Sequence, residues 1–180
     1  GNGYHGRPQG VVPIDDRHGL AKGAYYFPGG SGQYISLPPF RYGPRFTISI
    51  WVQSHDQSKV QIIFTKKPRS AVDSFQIFSD RGIYHARVFS ADNVGIGRSA
   101  LRVLHPAPKW VHLAVTYDGG NTSSALRIYQ HGVRADTDDF GQGRSFVSFN
   151  DLNVRSEIGS QNKGAESFHG ILDDVRIYNR

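Results

Sequence analysis

The last eleven residues, Gly170 to Arg180, read GILDDVRIYNR and set two carboxylates, Asp173 and Asp174, side by side in an alternating run. Side chains of a strand point to opposite faces in turn. Ile171, Asp173, Val175 and Ile177 are therefore expected on one side, and Leu172, Asp174, Arg176 and Tyr178 on the other. One acid then points where its apolar neighbours point, and an ionised carboxylate there needs a cation or several hydrogen-bond donors. A bound metal cation would answer that need, and so would an arginine such as Arg176 or Arg17.

Catalytic carboxylate chemistry finds little support. Glycoside hydrolysis with retention uses two carboxyls about 5 Å apart, yet the chain holds only two glutamates, Glu157 and Glu166, in unrelated settings. Arg155-Ser156-Glu157-Ile158 looks like part of an alginate-lyase strand but ends in Gly159, and its partner strands are missing. Among the eight histidines no Ser-His-Asp or metal-hydrolase spacing stands out.

Sugar recognition has better candidates. In FTISIWVQ (46–53) the apolar Phe46, Ile48, Ile50 and Val52 take one face and leave Thr47, Ser49, Trp51 and Gln53 on the other. In KWVHLAVTYD (109–118), Val111, Leu113, Val115 and Tyr117 go inward and leave Trp110, His112, Ala114 and Thr116 outward. An indole among small polar groups can stack on the apolar face of a pyranose while hydroxyls and imidazole take hydrogen bonds. The alternative is that each Trp is a packing residue under a loop or at a sheet edge.

Arginine supplies a second signal. Arg81, Arg87, Arg98, Arg102, Arg127 and Arg134 lie on or beside the central strands, and GIYHARVFS (82–90) adds Tyr84 and His85. A face of Arg, His and Tyr suits a sulfated or uronic polysaccharide. The candidate ligand-binding set is therefore Trp51, Trp110, His112, Tyr84, His85, Arg87 and Arg127. The balance of 21 Lys plus Arg against 15 Asp plus Glu gives a net charge of +6, which by itself is equally consistent with a solvated basic surface. Nucleic acid is disfavoured, since no Lys/Arg run and no recognised motif is present.

These residues must be positioned by strands. The period is two in 46–53, 60–66, 73–80, 82–90, 110–118, 125–132 and 170–180. Turn signals DRG, YDGGN and QHG separate several of them, and 140–150 reads as a long loop. No window shows a helical stripe, so the fold class is all-β, a sandwich or jelly roll of two antiparallel sheets. A length of 180 residues without a composition break implies one domain over 1–180. Mean hydropathy of −0.45 and the lack of a long apolar run exclude a membrane-spanning helix. There is no cysteine, hence no disulfide and no thiolate metal site. A chain without methionine that opens on Gly1 reads as a module excised from a larger protein. Asn121-Thr122-Ser123 forms a glycosylation sequon in an expected turn.

The succession GNGYHG, AYYFPGGSGQYISLP (24–38), FTISIWV, KWVHLAVTYDGG, LRIYQHG, EIGS and FHGILDDVRIYNR resembles the laminin G-like (LamG type 3) jelly roll of the concanavalin A-like lectin/glucanase superfamily. The resemblance implies a secreted or cell-surface, non-catalytic carbohydrate-binding or adhesion module. It also implies a structural calcium ion joining the amino-terminal turn to the last strand, with Asn2 and His5 giving main-chain or amide oxygens and Asp173 and Asp174 giving carboxylates. Two departures remove acids from turns: Phe27-Pro28-Gly29 stands where relatives carry FDG, and His131-Gly132 where they carry DG or NG. The functional expectation is recognition of an extracellular, anionic polysaccharide. The alternatives are a lyase or hydrolase of the same fold, and an assembly module without a sugar ligand.

Overall fold

The alternation in Phe46–Ser54 is realised residue by residue, with Phe46, Ile48, Ile50 and Val52 fully buried and the residues between them half-exposed. The computed structural model describes residues 5–66, 74–100, 109–140, 145–163 and 165–180. In chain order the strands are β1 (Arg7–Gln9), β2 (Val12–Ile14), β3 (Ala24–Pro28), β4 (Tyr34–Phe40), β5 (Phe46–Ser54), β6 (Gln61–Lys66), β7 (Phe75–Asp80) and β8 (Ile83–Phe89). They continue as β9 (Gly95–Ala100), β10 (Val111–Tyr117), β11 (Leu126–Gln130), β12 (Val133–Arg134), β13 (Asp136–Phe140), β14 (Val154–Ile158) and β15 (His169–Tyr178).

The strands form two antiparallel sheets. One has eight strands in the order β1-β4-β14-β6-β7-β8-β9-β13, and the other seven in the order β12-β11-β10-β5-β15-β3-β2. The expected two-sheet sandwich is thus present. The hairpin turns at Arg81-Gly82 and His131-Gly132 have positive φ at both central residues, the backbone that matches the right-handed twist of the flanking strands.

Between the sheets lies one apolar core, with Phe27, Phe46, Phe64, Phe75 and Phe168 fully buried. Gly159 shows how closely the sheets approach. It has φ +82°, and a Cβ there would fall 2.2 Å from the Phe27 ring, so only glycine fits.

β6 is buried on both faces and ends in a buried cation. Lys66 is fully buried, its Nζ donating to Asp151 Oδ1 at 2.6 Å and to the Phe40 carbonyl at 2.8 Å, and it lies 3.8 Å from the Tyr42 ring centroid. Asp151 also accepts from the Tyr42 and Gly43 amides at 3.0 and 2.9 Å. Burial pulls the Lys66 ammonium below its usual range, and the Asp151 charge works against that fall.

Candidate functional site

The two acids of the last strand lie at an irregularity. On β15, Asp173 stands opposite Trp51 and Arg176 opposite Ser49, so Asp174 and Val175 together face the single Ile50. This is a β-bulge, with Asp174 at φ +50°, a conformation that Asp tolerates better than most residues. The bulge corrects the uniform alternation expected from sequence. Ile171 and Asp173 lie on the outer face, whereas Val175 and Ile177 pack against the core.

Both carboxylates meet one guanidinium. Arg17 donates from Nη1 to Asp173 Oδ2 at 2.5 Å and from Nη2 to Asp174 Oδ2 at 2.8 Å, while Arg176 donates to Asp174 Oδ1 at 3.1 Å. Burial opposes the Asp174 charge, but the hydrogen bonds from Arg17 and Arg176 prevail and hold its carboxyl below the usual range. Arg17 reaches this place from the β2–β3 loop. There Asp16 Oδ1 accepts the amides of His18 and Leu20 at 2.8 and 2.9 Å, folding the loop on itself.

Under the Arg17 guanidinium lies Trp51, with 4.6 Å from guanidinium carbon to ring centroid. His112, directly across from Trp51 on β10, has its ring centroid 5.0 Å away and its Nε2 2.8 Å from Ser49 Oγ. Burial, and then the charges of His131 and Arg17, pull the His112 imidazole below its usual range. Tyr178 and Arg176 close the other side. Together with Ser49, Trp51, His112, Arg17 and Asp174 they line a hollow of about 380 Å³ on the outer face of the seven-stranded sheet. Hydroxyl, imidazole, carboxylate and guanidinium there surround an indole, a composition that can hydrogen-bond a polyhydroxylated ligand in several directions.

A family model described as the concanavalin A-like lectin/glucanases superfamily, laminin G type 3, matches residues 29–180. The chain belongs to this family. No curated protein matches it. Among solved structures, this laminin G-like domain is similar to the binding domain of Paraclostridial mosquitocidal protein 1, at 18% identity and TM-score 0.70, covering 100% of this chain and 45% of that one. It is also similar to the binding domain of botulinum neurotoxin serotype G, at 13% identity and TM-score 0.68, covering 99% and 44%. Domains LG4-5 of the mouse laminin alpha1 chain match at 16% identity and TM-score 0.62, covering 86% and 40%. The domain spans less than half the length of each of these solved chains. At these identities the likeness concerns the fold.

The laminin G-like framework distributes the sequence candidates over different faces. Trp51 and His112 meet in the hollow, and Trp110 is half-buried just ahead of β10. Arg127 lies on the same sheet but four residues along from His112 in register, where it donates to Asp118 at 2.9 Å. His85 and Arg87 belong to the eight-stranded sheet, so no single site holds all seven candidates. His85 stacks on Phe78 with centroids 4.7 Å apart, and Arg87 donates to Gln76 at 2.7 Å. Tyr84 alternates with them, is buried in the core, and its hydroxyl is pushed up to about 12 by burial. The expected Arg, His and Tyr face is corrected accordingly, because neighbouring strand residues cannot share a face.

Several arginines expected to meet anionic sugar instead hold aspartates. Arg98 pairs with Asp136 and Asp139, and Arg134 reaches Asp136 at 3.0 Å. Arg102 lies outside the described residues.

Of the four implied calcium ligands, three lie among the described residues. Asn2 lies outside the described residues, and His5 is exposed ahead of β1, in the opposite sheet from β15. Asp173 and Asp174 face a guanidinium, and among the described residues no group of three or more His, Cys, Asp or Glu side chains is arranged to hold an ion. Calcium takes six to eight oxygens, and of those implied here the two carboxylates are engaged by Arg17. Arg17, Asp16 and the bulge could not be placed at this site from spacing, because the β2–β3 loop meets β15 only through the fold.

Proposed function

We propose that this laminin G-like domain is a non-catalytic module of an extracellular protein that binds a glycan in the hollow around Trp51 and His112. The observation that carries the reading is the lining itself. Ser49, His112 and Tyr178 offer neutral hydrogen-bonding groups, and Asp174 and Arg176 offer a paired acceptor and donor at 3.1 Å. Adjacent carboxylate and guanidinium groups suit vicinal hydroxyls, one accepting and the other donating.

Preference for anionic chains comes from the net charge of +6 rather than from dedicated arginines, since Arg98, Arg127 and Arg134 are engaged by aspartates. That part of the affinity is long-range and falls with added salt. The toxin binding domains and laminin domains among the similar structures support a binding role. Both glutamates are turned to local structure, Glu157 accepting the Lys163 amide at 3.0 Å and Glu166 the Gln161 side chain at 2.5 Å.

A panel of neutral, sulfated and uronic glycans tests the reading, with saturable binding and no release of reducing ends or unsaturated uronates as the expected result. A blank panel with concentration-dependent self-association would make the assembly module the better account. Product release would make the domain an enzyme.

A further inference from the structure

At the opposite end of the same sheet face, three rings converge that the hollow does not use. His55 follows β5, His169 begins β15, and Tyr26 lies on β3. The ring centroids are 5.6 Å apart for His55 and His169, 5.7 Å for Tyr26 and His55, and 6.2 Å for Tyr26 and His169. The Tyr26 hydroxyl lies 3.3 Å from His169 Nε2.

We propose that His55, His169 and Tyr26 form a binding site for a divalent transition-metal ion of the kind that prefers imidazole, such as Zn²⁺. The spacing agrees with that chemistry. A zinc–nitrogen bond of about 2.0–2.1 Å puts each imidazole centroid about 3.2 Å from the ion, and two such rings at a tetrahedral angle are then about 5 Å apart. Small rotations of the two side chains close the difference. The Tyr26 oxygen, its hydroxyl proton passing to solvent as the ion binds, supplies a third donor and water the fourth.

The backbone under both histidines is held in advance. The His55 amide donates to the His169 carbonyl at 2.9 Å, and the His169 amide donates to Oε1 of the fully buried Gln61 at 2.7 Å. Gly29, at φ +86°, brings its turn so close that a Cβ there would lie 2.8 Å from His169 Cβ. Gln53 Oε1 lies 3.2 Å from His55 Nε2, a contact of the type that orients a ligating imidazole through its other nitrogen. A backbone held in this way lowers the ordering cost when an ion arrives.

Calorimetric titration of the domain with Zn²⁺ is the test, and it does not depend on any glycan. One saturable site per chain is expected. His55→Ala, at an exposed position, should weaken it at least about tenfold, as should His169→Gln, while His131→Ala leaves it unchanged. Zn²⁺ should also raise the melting temperature of the parent but not of His55→Ala. The absence of saturable binding in the parent, or an affinity unchanged in His55→Ala, would overturn the assignment.

Discussion

The Arg17 guanidinium covers the Trp51 indole, 4.6 Å from its ring centroid, while its two Nη atoms reach Asp173 and Asp174. One side chain from a loop thus ties the β2–β3 connection to β15 and roofs β5. Arg17 and Asp173 are largely buried, with side-chain exposures of 16% and 5%. Asp173→Asn should cost about 2 kcal/mol by removing the more buried of the two carboxylates that hold the guanidinium, a fall of roughly 4–8 °C in Tm for a domain of this size. Because the partner is an arginine, a calcium chelator should leave the parent's Tm unchanged. A chelator-dependent Tm that Asp173→Asn abolishes would support the calcium reading instead.

Lys66 and Asp151 should behave as a unit. Lys66→Met leaves Asp151 with only the Tyr42 and Gly43 amides, whereas Asp151→Asn leaves a buried ammonium uncompensated. Each single variant should lose about 3–5 kcal/mol in denaturant unfolding. The double variant should lose clearly less than the sum, and strict additivity would show that the pair is not coupled.

Acid stability should carry the signature of Asp136. Its fully buried carboxylate loses stability to burial, but hydrogen bonds from Arg134, Arg98 and the Ile128 amide prevail and hold its pKa down to about 2. A carboxyl depressed in the folded state stabilises the fold above its unfolded pKa, and that contribution disappears as pH falls through the folded value. About 2 kcal/mol should therefore be lost between roughly pH 4 and pH 2. Asp136→Asn should be less stable at neutral pH and show a flatter profile in that window. A parent profile identical in shape to that of the variant would contradict this.

Gly159 should resist substitution. Alanine there meets both a positive φ and the Phe27 ring, and should cost about 2–4 kcal/mol in unfolding experiments.

Much of the sandwich was legible because strand burial repeats with period two. The inward residues of Phe46–Ser54 and Val111–Tyr117 are those that alternation selects, and the DRG and QHG turns lie where glycine permits positive φ. The short edge strands β1, β2 and β12 carry too few residues to show a period. At the site, Trp51 and His112 were each legible as an outward residue of its strand, whereas their cross-strand pairing comes from the register of β5 with β10. The fate of the two acids was not, since a bulge of one residue reverses the facing of everything beyond it and nothing local in GILDDVRIYNR marks Asp174 as the extra residue. Arg17 was legible as a possible partner by charge alone. That Arg98, Arg127 and Arg134 neutralise aspartates within the fold depends on pairings such as Arg98 with Asp136, 38 residues apart in sequence.

Trp51 offers the most direct test of the glycan hollow. The chain has two tryptophans, so Trp110→Phe makes Trp51 the sole indole reporter. Titration of that variant with the best-binding glycan of the panel should change the Trp51 emission saturably, at the same midpoint as binding measured by calorimetry. The change should be abolished when His112→Ala is added. Binding that leaves the Trp51 emission untouched, or that persists at full affinity without His112, would contradict the hollow as the site.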